Sequence, residues 1–218
     1  MNKNNIICFD FETGGLDIKT LHPIQVAALA INPRTLVIEP GSEFVSMMRP
    51  TGPKEVWANQ LDKKALEINK KTIEEIDAAP DVEQVWKNFV QHIHKYALTK
   101  KIYDMPVACG MNIINFDIPI AERLCRQYNV AYHKEKDEVV LFHPRDKIDL
   151  LNIINLFFEN SNDLPNFKMD TLRDYFGISR ENSHDALVDV RQTAQIVIRF
   201  MLFCRNIAAK SKFAGAFK

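Results

Sequence analysis

Residues Ile6 to Asp17 read IICFDFETGGLD, an apolar run that carries two acids two residues apart and ends at a pair of glycines. Side chains alternate across a strand. Ile7, Phe9 and Phe11 therefore share one face, and Cys8, Asp10 and Glu12 share the other. A strand of this kind belongs in the middle of a sheet, yet it sets two like charges side by side. That arrangement is unfavourable unless something cationic lies between them. Paired carboxylates are what hard, oxygen-preferring ions such as Mg²⁺ or Mn²⁺ require. Gly14 and Gly15 let the backbone turn sharply and approach a ligand. The bland alternative is a strand end whose acids face solvent.

The remaining pattern predicts how such a strand is covered. Further strand signals lie in PIQVAALAI (Pro23–Ile31), then in LVIEP and SEFVSMMRP across a Pro40–Gly41 turn. Helical patterns follow in DKKALEINKK and TIEEIDAA. In DVEQVWKNFVQHIHKYAL, residues Val82, Val85, Trp86, Phe89 and Ile93 recur at helical spacing, with Asp81 placed as N-cap. MPVACG reads as a short strand before a helix in NFDIPIAERLCRQYNV. KIDLLNIINLFF reads as a strand or turn running into a helix, MDTLRDYFGI as a helix closed by Gly177, and HDALVDVRQTAQIVIRFMLFC as a long amphipathic helix. Strands first and then alternating helices and strands predict an α/β or α+β fold with a mixed sheet, in one domain. At 218 residues the chain is long enough to core it.

Lys plus Arg equals Asp plus Glu at 28 each, so net charge selects no partner. From Val190 onward there are six Lys and Arg residues and no acid. This reads as helix-end cations offsetting the dipole and then a solvated tail, with a strip for a nucleic-acid backbone as the sharper alternative. Cys8, Cys109, Cys125 and Cys204 form no CxxC pair, which favours reduced thiols and a cytoplasmic setting. No leader or membrane span is expected, because Asp10 and Glu12 interrupt the first apolar run. His92 and His94 have the wrong spacing to share a metal on a helix and are expected at the surface.

Two more segments carry chemistry. Asp117, in NFDIPI, stands at a helix start, where an acid also suits the dipole. In NSHDALVDV, His184 precedes Asp185 and Asp189. On one continuous helix, residues 184 and 189 would lie about 140° apart, so His184 reaches the side of Asp189 only from the loop before the helix. Each segment is weak alone.

Together FDFETGGLD, NFD and HDALVDV resemble, in order and spread, the three motifs of the DEDDh 3′–5′ exonucleases, over roughly Ile6 to Ile198. The resemblance implies a ribonuclease-H-like fold, with an exonuclease domain over 1–205 and a basic tail over 206–218. It assigns Asp10, Glu12, Asp117 and Asp189 to two Mg²⁺ or Mn²⁺ ions. Asp10 would bridge both, Glu12 and Asp189 would complete the first, and Asp117 would hold the second. It makes His184 the general base and gives Asp185 the capping role. Thr13 and Gly15 would hold a terminal 3′ hydroxyl by their backbone amides, Leu16 would act as a wedge, and Phe116 as a second apolar contact. The implied activity is hydrolysis from the 3′ end of single-stranded nucleic acid, DNA in the first instance, releasing nucleoside 5′-monophosphates. An exoribonuclease and a non-catalytic nucleic-acid-binding relative are the alternatives. An aspartyl-phosphate phosphatase is the chemical rival, since DFET approaches DxDxT. Three departures stand out: GG where TG is commoner, CGMN in place of GHN, and Asn112 one residue further from Asp117 than usual.

Overall fold

A computed structural model describes residues 4–179 and 185–210. His184 and residues 211–218 lie outside them. The apolar runs become strands β1 (Ile6–Thr13) and β2 (Pro23–Ile31), paired antiparallel from Ile6 opposite Ile31 to Glu12 opposite Gln25. Every residue of β2 is buried, as a strand covered on both faces must be. β3 (Phe44–Met47) pairs antiparallel with β2, and β4 (Val107–Gly110) pairs parallel with β1. A small separate ribbon is made by β5 (Tyr132–His133) and β6 (Glu138–Val139). β7 (Lys147–Asp149) pairs parallel with β4. The resulting mixed sheet has the order β3-β2-β1-β4-β7, with β1 central.

Among the described residues the helices are α1 (Lys54–Ala58), α2 (Lys63–Asn69), α3 (Ile73–Asp77), α4 (Val82–His94), α5 (Asp117–Tyr128), α6 (Leu150–Phe158), α7 (Met169–Phe176) and α8 (Ala186–Lys210). Their ends follow local chemistry. Asp81 caps α4 by accepting from the Glu83 amide at 2.8 Å, Thr72 and Glu75 form a capping box on α3, and Gly177 closes α7 at a φ of 65°.

The alternation of β1 divides the core. Ile7, Phe9 and Phe11 pack with Val85, Trp86, Phe89 and Ile93 of α4 and with Ile120 and Leu124 of α5. Ile6 and Cys8 pack on the opposite face, against Leu150 of α6, Leu172 of α7 and Val190, Ala194 and Val197 of α8. Burying each large apolar side chain contributes about 1.5–3 kcal/mol, so both faces of β1 are strongly fixed. A one-residue slip would exchange them.

Several elements differ from expectation. LVIEP is not a strand: Ile38 makes only an isolated bridge to Ile31, and Leu36 adopts a φ of 58°. Asn32 accepts from the amides of Arg34 and Thr35 and folds the segment into a turn, which outweighs the strand preference of Leu, Val and Ile. The strand after Gly41 shrinks to Phe44–Met47, and α1 forms where none was expected. His92 and His94 are half-buried rather than simply at the surface. Their Nε2 atoms lie 2.9 Å from the Ser42 carbonyl and 3.1 Å from that of Val140, and burial lowers both pKa values. α8 continues to Lys210, but every residue from Leu202 is exposed, so the helix outruns the core it packs on. The arginines of α8, read first as helix-end cations and alternatively as a backbone-binding strip, have partners within the chain: Arg191 on Glu43, Arg199 on the Phe176 carbonyl, Arg205 on those of Pro33 and Arg34.

Candidate active site

β1 pairs with β4 only over Ile6–Cys8 but runs on to Thr13. Beyond Cys8 the pairing with β4 ends, which leaves a notch in the hydrogen-bond ladder at the carboxyl end of β4, the usual end for a ligand in an open α/β sheet. Asp10 and Glu12 lie on this unpaired stretch. On the side toward β4, the Phe11 amide lacks a strand partner and donates instead to Asp117 Oδ1, at 3.1 Å. That bond ties the start of α5 to β1. It places the Asp117 carboxylate, 2% exposed, at the edge of the notch.

The loop before Asp117 is held by a residue that sequence reading passed over. Asp149, buried at the end of β7, accepts from the amides of Asn112 at 2.9 Å, Ile114 at 3.1 Å and Leu151 at 3.0 Å. One carboxylate thus caps α6 and fixes the loop between β4 and α5. Gly110 serves the same junction: a side-chain carbon there would lie 2.9 Å from the Phe9 carbonyl oxygen and collide with Ile113.

α8 covers the face of β1 that carries Cys8, Asp10 and Glu12. Asp185 accepts from the amides of Leu187 at 3.0 Å and Val188 at 3.3 Å, the expected cap. One turn on, Asp189 comes alongside the strand acids. Arg173 of α7 donates Nη2 to Asp189 Oδ1 at 2.5 Å, Nη1 to Asp170 at 2.6 Å and Nε to Gln192 Oε1 at 2.6 Å. Sequence reading missed this arginine, although a signal was present: Met169, Leu172, Arg173 and Phe176 form one apolar stripe with a cation inside it.

The electrostatics register the convergence. Asp10 is held well above the usual carboxylate range by burial and by the charges of Asp117, Glu12 and Asp189, against which Arg173 acts. Glu12 is pushed up to about 7 by burial, then by Asp189 and Asp185, with Lys71 opposing. Asp117 is pushed up to about 8, mainly by burial; the Phe11 amide opposes the rise, while Asp149 and Glu12 add to it. Four acids from three segments thus interact in one place. For Asp10, Glu12 and Asp117 burial leads the rise, and the charges of neighbouring acids add to it.

Among the described residues, no three His, Cys, Asp or Glu side chains are gathered tightly enough to form a metal cage as they stand. Asp189 is held by Arg173 and Asp117 by the Phe11 amide. The donors still fit a hard divalent cation in kind: carboxylate oxygens in a buried setting, each destabilising its neighbours' charge. Buried Gln25, opposite Glu12 on β2, adds an Oε1 with no hydrogen-bond partner among the described residues.

The turn after β1 carries the other expected contacts. The buried Thr13 donates its hydroxyl to the Gly15 carbonyl at 2.8 Å and accepts at its own carbonyl from Asn69 at 2.9 Å. The Gly14 amide donates to His22 and its carbonyl accepts from Asp62, both at 2.8 Å. Leu16 is 82% exposed, an apolar side chain held out from a braced turn. Phe116 is partly buried and packs against the core of α4 and α5. His184 lies outside the described residues, immediately before the capping Asp185.

The exonuclease family RNase_T matches residues 7–197 of the chain. E. coli exonuclease I in complex with a dT13 oligonucleotide superposes with a TM-score of 0.67 at 21% identity, covering 89% of this chain and 40% of that one. Cell-death related nuclease 4 gives 0.70 at 17% identity, covering 93% and 65%. Exonuclease I from Methylocaldum szegediense gives 0.67 at 19% identity, covering 90% and 40%. The chain therefore spans about two fifths of the exonuclease I chains it matches. A comparison with curated proteins returned no match. The ribonuclease-H-like architecture expected from the motifs, a mixed sheet flanked by helices in one domain, is the one the chain adopts.

Proposed function

Because the chain belongs to the RNase_T exonuclease family, we propose that it is a metal-dependent 3′–5′ exonuclease. It hydrolyses phosphodiester bonds from the 3′ end of single-stranded nucleic acid, DNA before RNA, and releases nucleoside 5′-monophosphates. One observation carries the reading: β1, α5 and α8 bring Asp117, Glu12 and Asp189 close enough to the buried Asp10 for the charge of each to act on it. Such a set is costly to fold for structure alone, and a phosphodiesterase has a use for it.

The four carboxylates would hold two Mg²⁺ or Mn²⁺ ions. Two metals in such a site activate the attacking water and stabilise charge on the phosphoryl and leaving oxygens. Asp10, on which the charges of the other three all act, suits the shared position. His184 takes the proton from the attacking water as general base, for which an imidazole near neutral pH is suited. Leu16 wedges against the terminal base, Phe116 supports it, and the backbone at Thr13 and Gly15 receives the 3′ hydroxyl. The preference for DNA draws on the oligonucleotide bound to the structural relative. A cytoplasmic setting accords with the four free cysteines. Among the described residues no helix is long and apolar enough to cross a membrane.

The test is digestion of single-stranded DNA and RNA, labelled at the 3′ or 5′ end, with Mg²⁺, Mn²⁺ or EDTA. Stepwise loss from the 3′ end in metal alone, faster on DNA, is expected. Release from the 5′ end, internal cutting, or turnover in EDTA would overturn the reading. Faster loss of RNA would make the enzyme an exoribonuclease.

A further inference from the structure

Arg173 is 1% exposed. Arginine is almost never buried to that degree unless its charge is matched. Each nitrogen of its guanidinium is used: Nη2 on Asp189, Nη1 on Asp170, Nε on Gln192. Gln192 is fixed in turn, donating to the Ser179 carbonyl at 2.9 Å. Asp189 and Gln192 stand three residues apart on α8 and so share one face. The fork therefore joins α7 to the first turns of α8 and grips the one candidate metal ligand that α8 supplies.

We propose that Arg173 is a positioning residue of the metal centre, and that its fork holds Asp189 against the strand acids for a divalent cation. This rests on the proposed function of the same carboxylates. Facing Asp10 and Glu12, an unsupported Asp189 would turn away from their charge. Arg173 supplies the opposing attraction and fixes the rotamer through a planar, bidentate-capable group. A lysine would supply the charge at a single point and leave Gln192 without its donor. A carboxylate has more acceptor sites than one N–H occupies, so the pairing and a metal bond can coexist at Asp189. Partners that orient metal ligands in this way typically contribute about 10–100-fold in metal affinity.

The test is Mn²⁺ binding by electron paramagnetic resonance and calorimetry, on full-length protein shown to be folded by circular dichroism. Arg173→Met is expected to weaken Mn²⁺ binding by about 10-fold or more, and Arg173→Lys by less. Asp170→Asn, which leaves the Arg173–Asp189 pair in place, should bind within about twofold of wild type, well inside the 10–100-fold range. A purely structural arginine would lower stability and leave the affinity of the folded protein unchanged; that result overturns the proposal. Tighter Mn²⁺ binding in Arg173→Met also overturns it, because Arg173 would then be competing with the metal. Where Arg173→Met does not fold, Arg173→Lys decides alone, and wild-type affinity in that variant refutes the fork. Wild-type protein that binds no Mn²⁺ would overturn the metal-centre reading itself, and this proposal with it.

Discussion

Replacing Glu12 by Gln should stabilise the metal-free protein by an amount that grows from about pH 4.5 and is complete above about pH 7. Glu12 is 8% exposed on a strand whose neighbours are acids. Its pKa rises from 4.5 to about 7 on folding. Below the lower value the group is neutral in the folded and unfolded states alike and contributes no difference. Between the two values the unfolded chain releases a proton that the folded chain retains, so folding loses ground as pH rises. Above about 7 the loss is complete, and the rise corresponds to roughly 3 kcal/mol. Gln has the same shape and no proton to lose. In EDTA, urea unfolding followed by circular dichroism should give Glu12→Gln and wild type similar stabilities near pH 4. The variant should lead by about 1–3 kcal/mol near pH 8. Saturating Mg²⁺ should reverse the order, since at about 100-fold over its dissociation constant a ligand adds roughly 3 kcal/mol to the protein that binds it. A stability difference that stays flat from pH 4 to pH 8 in EDTA would refute the reasoning, because burial and the neighbouring acids would then not be raising the pKa of Glu12.

Other perturbations separate the parts of the site. His184→Ala should lower kcat by about 100-fold or more with Mn²⁺ affinity unchanged, as befits a general base; unchanged turnover would remove that role. Leu16→Ala, at an exposed position, should leave stability within about 0.5 kcal/mol. It should raise KM for single strands severalfold, and an unchanged KM would discard the wedge. Asp149→Ala strips three amides of one buried acceptor and should lower stability by about 3 kcal/mol, read by chemical unfolding. A loss under about 1 kcal/mol would show that the loop carrying Phe116 and Asp117 is held by something else.

What the sequence made legible was local. β1 and β2 are written in long, mostly apolar runs. α4 announces itself by helical spacing behind an Asp cap, and α7 ends at a glycine that its left-handed closure requires. The carboxylates were legible because alternation along β1 and the ordered motifs each point at them. LVIEP misled because strand propensity is weak beside turn chemistry, and Asn32 supplies that chemistry a few residues earlier. Arg173 and Asp149 were missed for a different reason. Their partners lie in other elements: Asp189 is sixteen residues from Arg173, and Asn112 thirty-seven from Asp149. A buried ion pair leaves no periodic trace. The arginine inside the apolar stripe of α7 and the glutamine inside the apolar run of β2 were the only marks, and each is a polar residue where the pattern demands an apolar one.

The central claim is that side chains from β1, α5 and α8 form one divalent-cation centre. Anomalous diffraction from crystals soaked in Mn²⁺ tests it most directly. Manganese peaks bounded by Asp10, Glu12, Asp117 and Asp189, in the notch where β1 leaves β4, are the predicted result. Manganese bound elsewhere, or a notch that stays empty of metal while the carboxylates face away from it, would contradict the account.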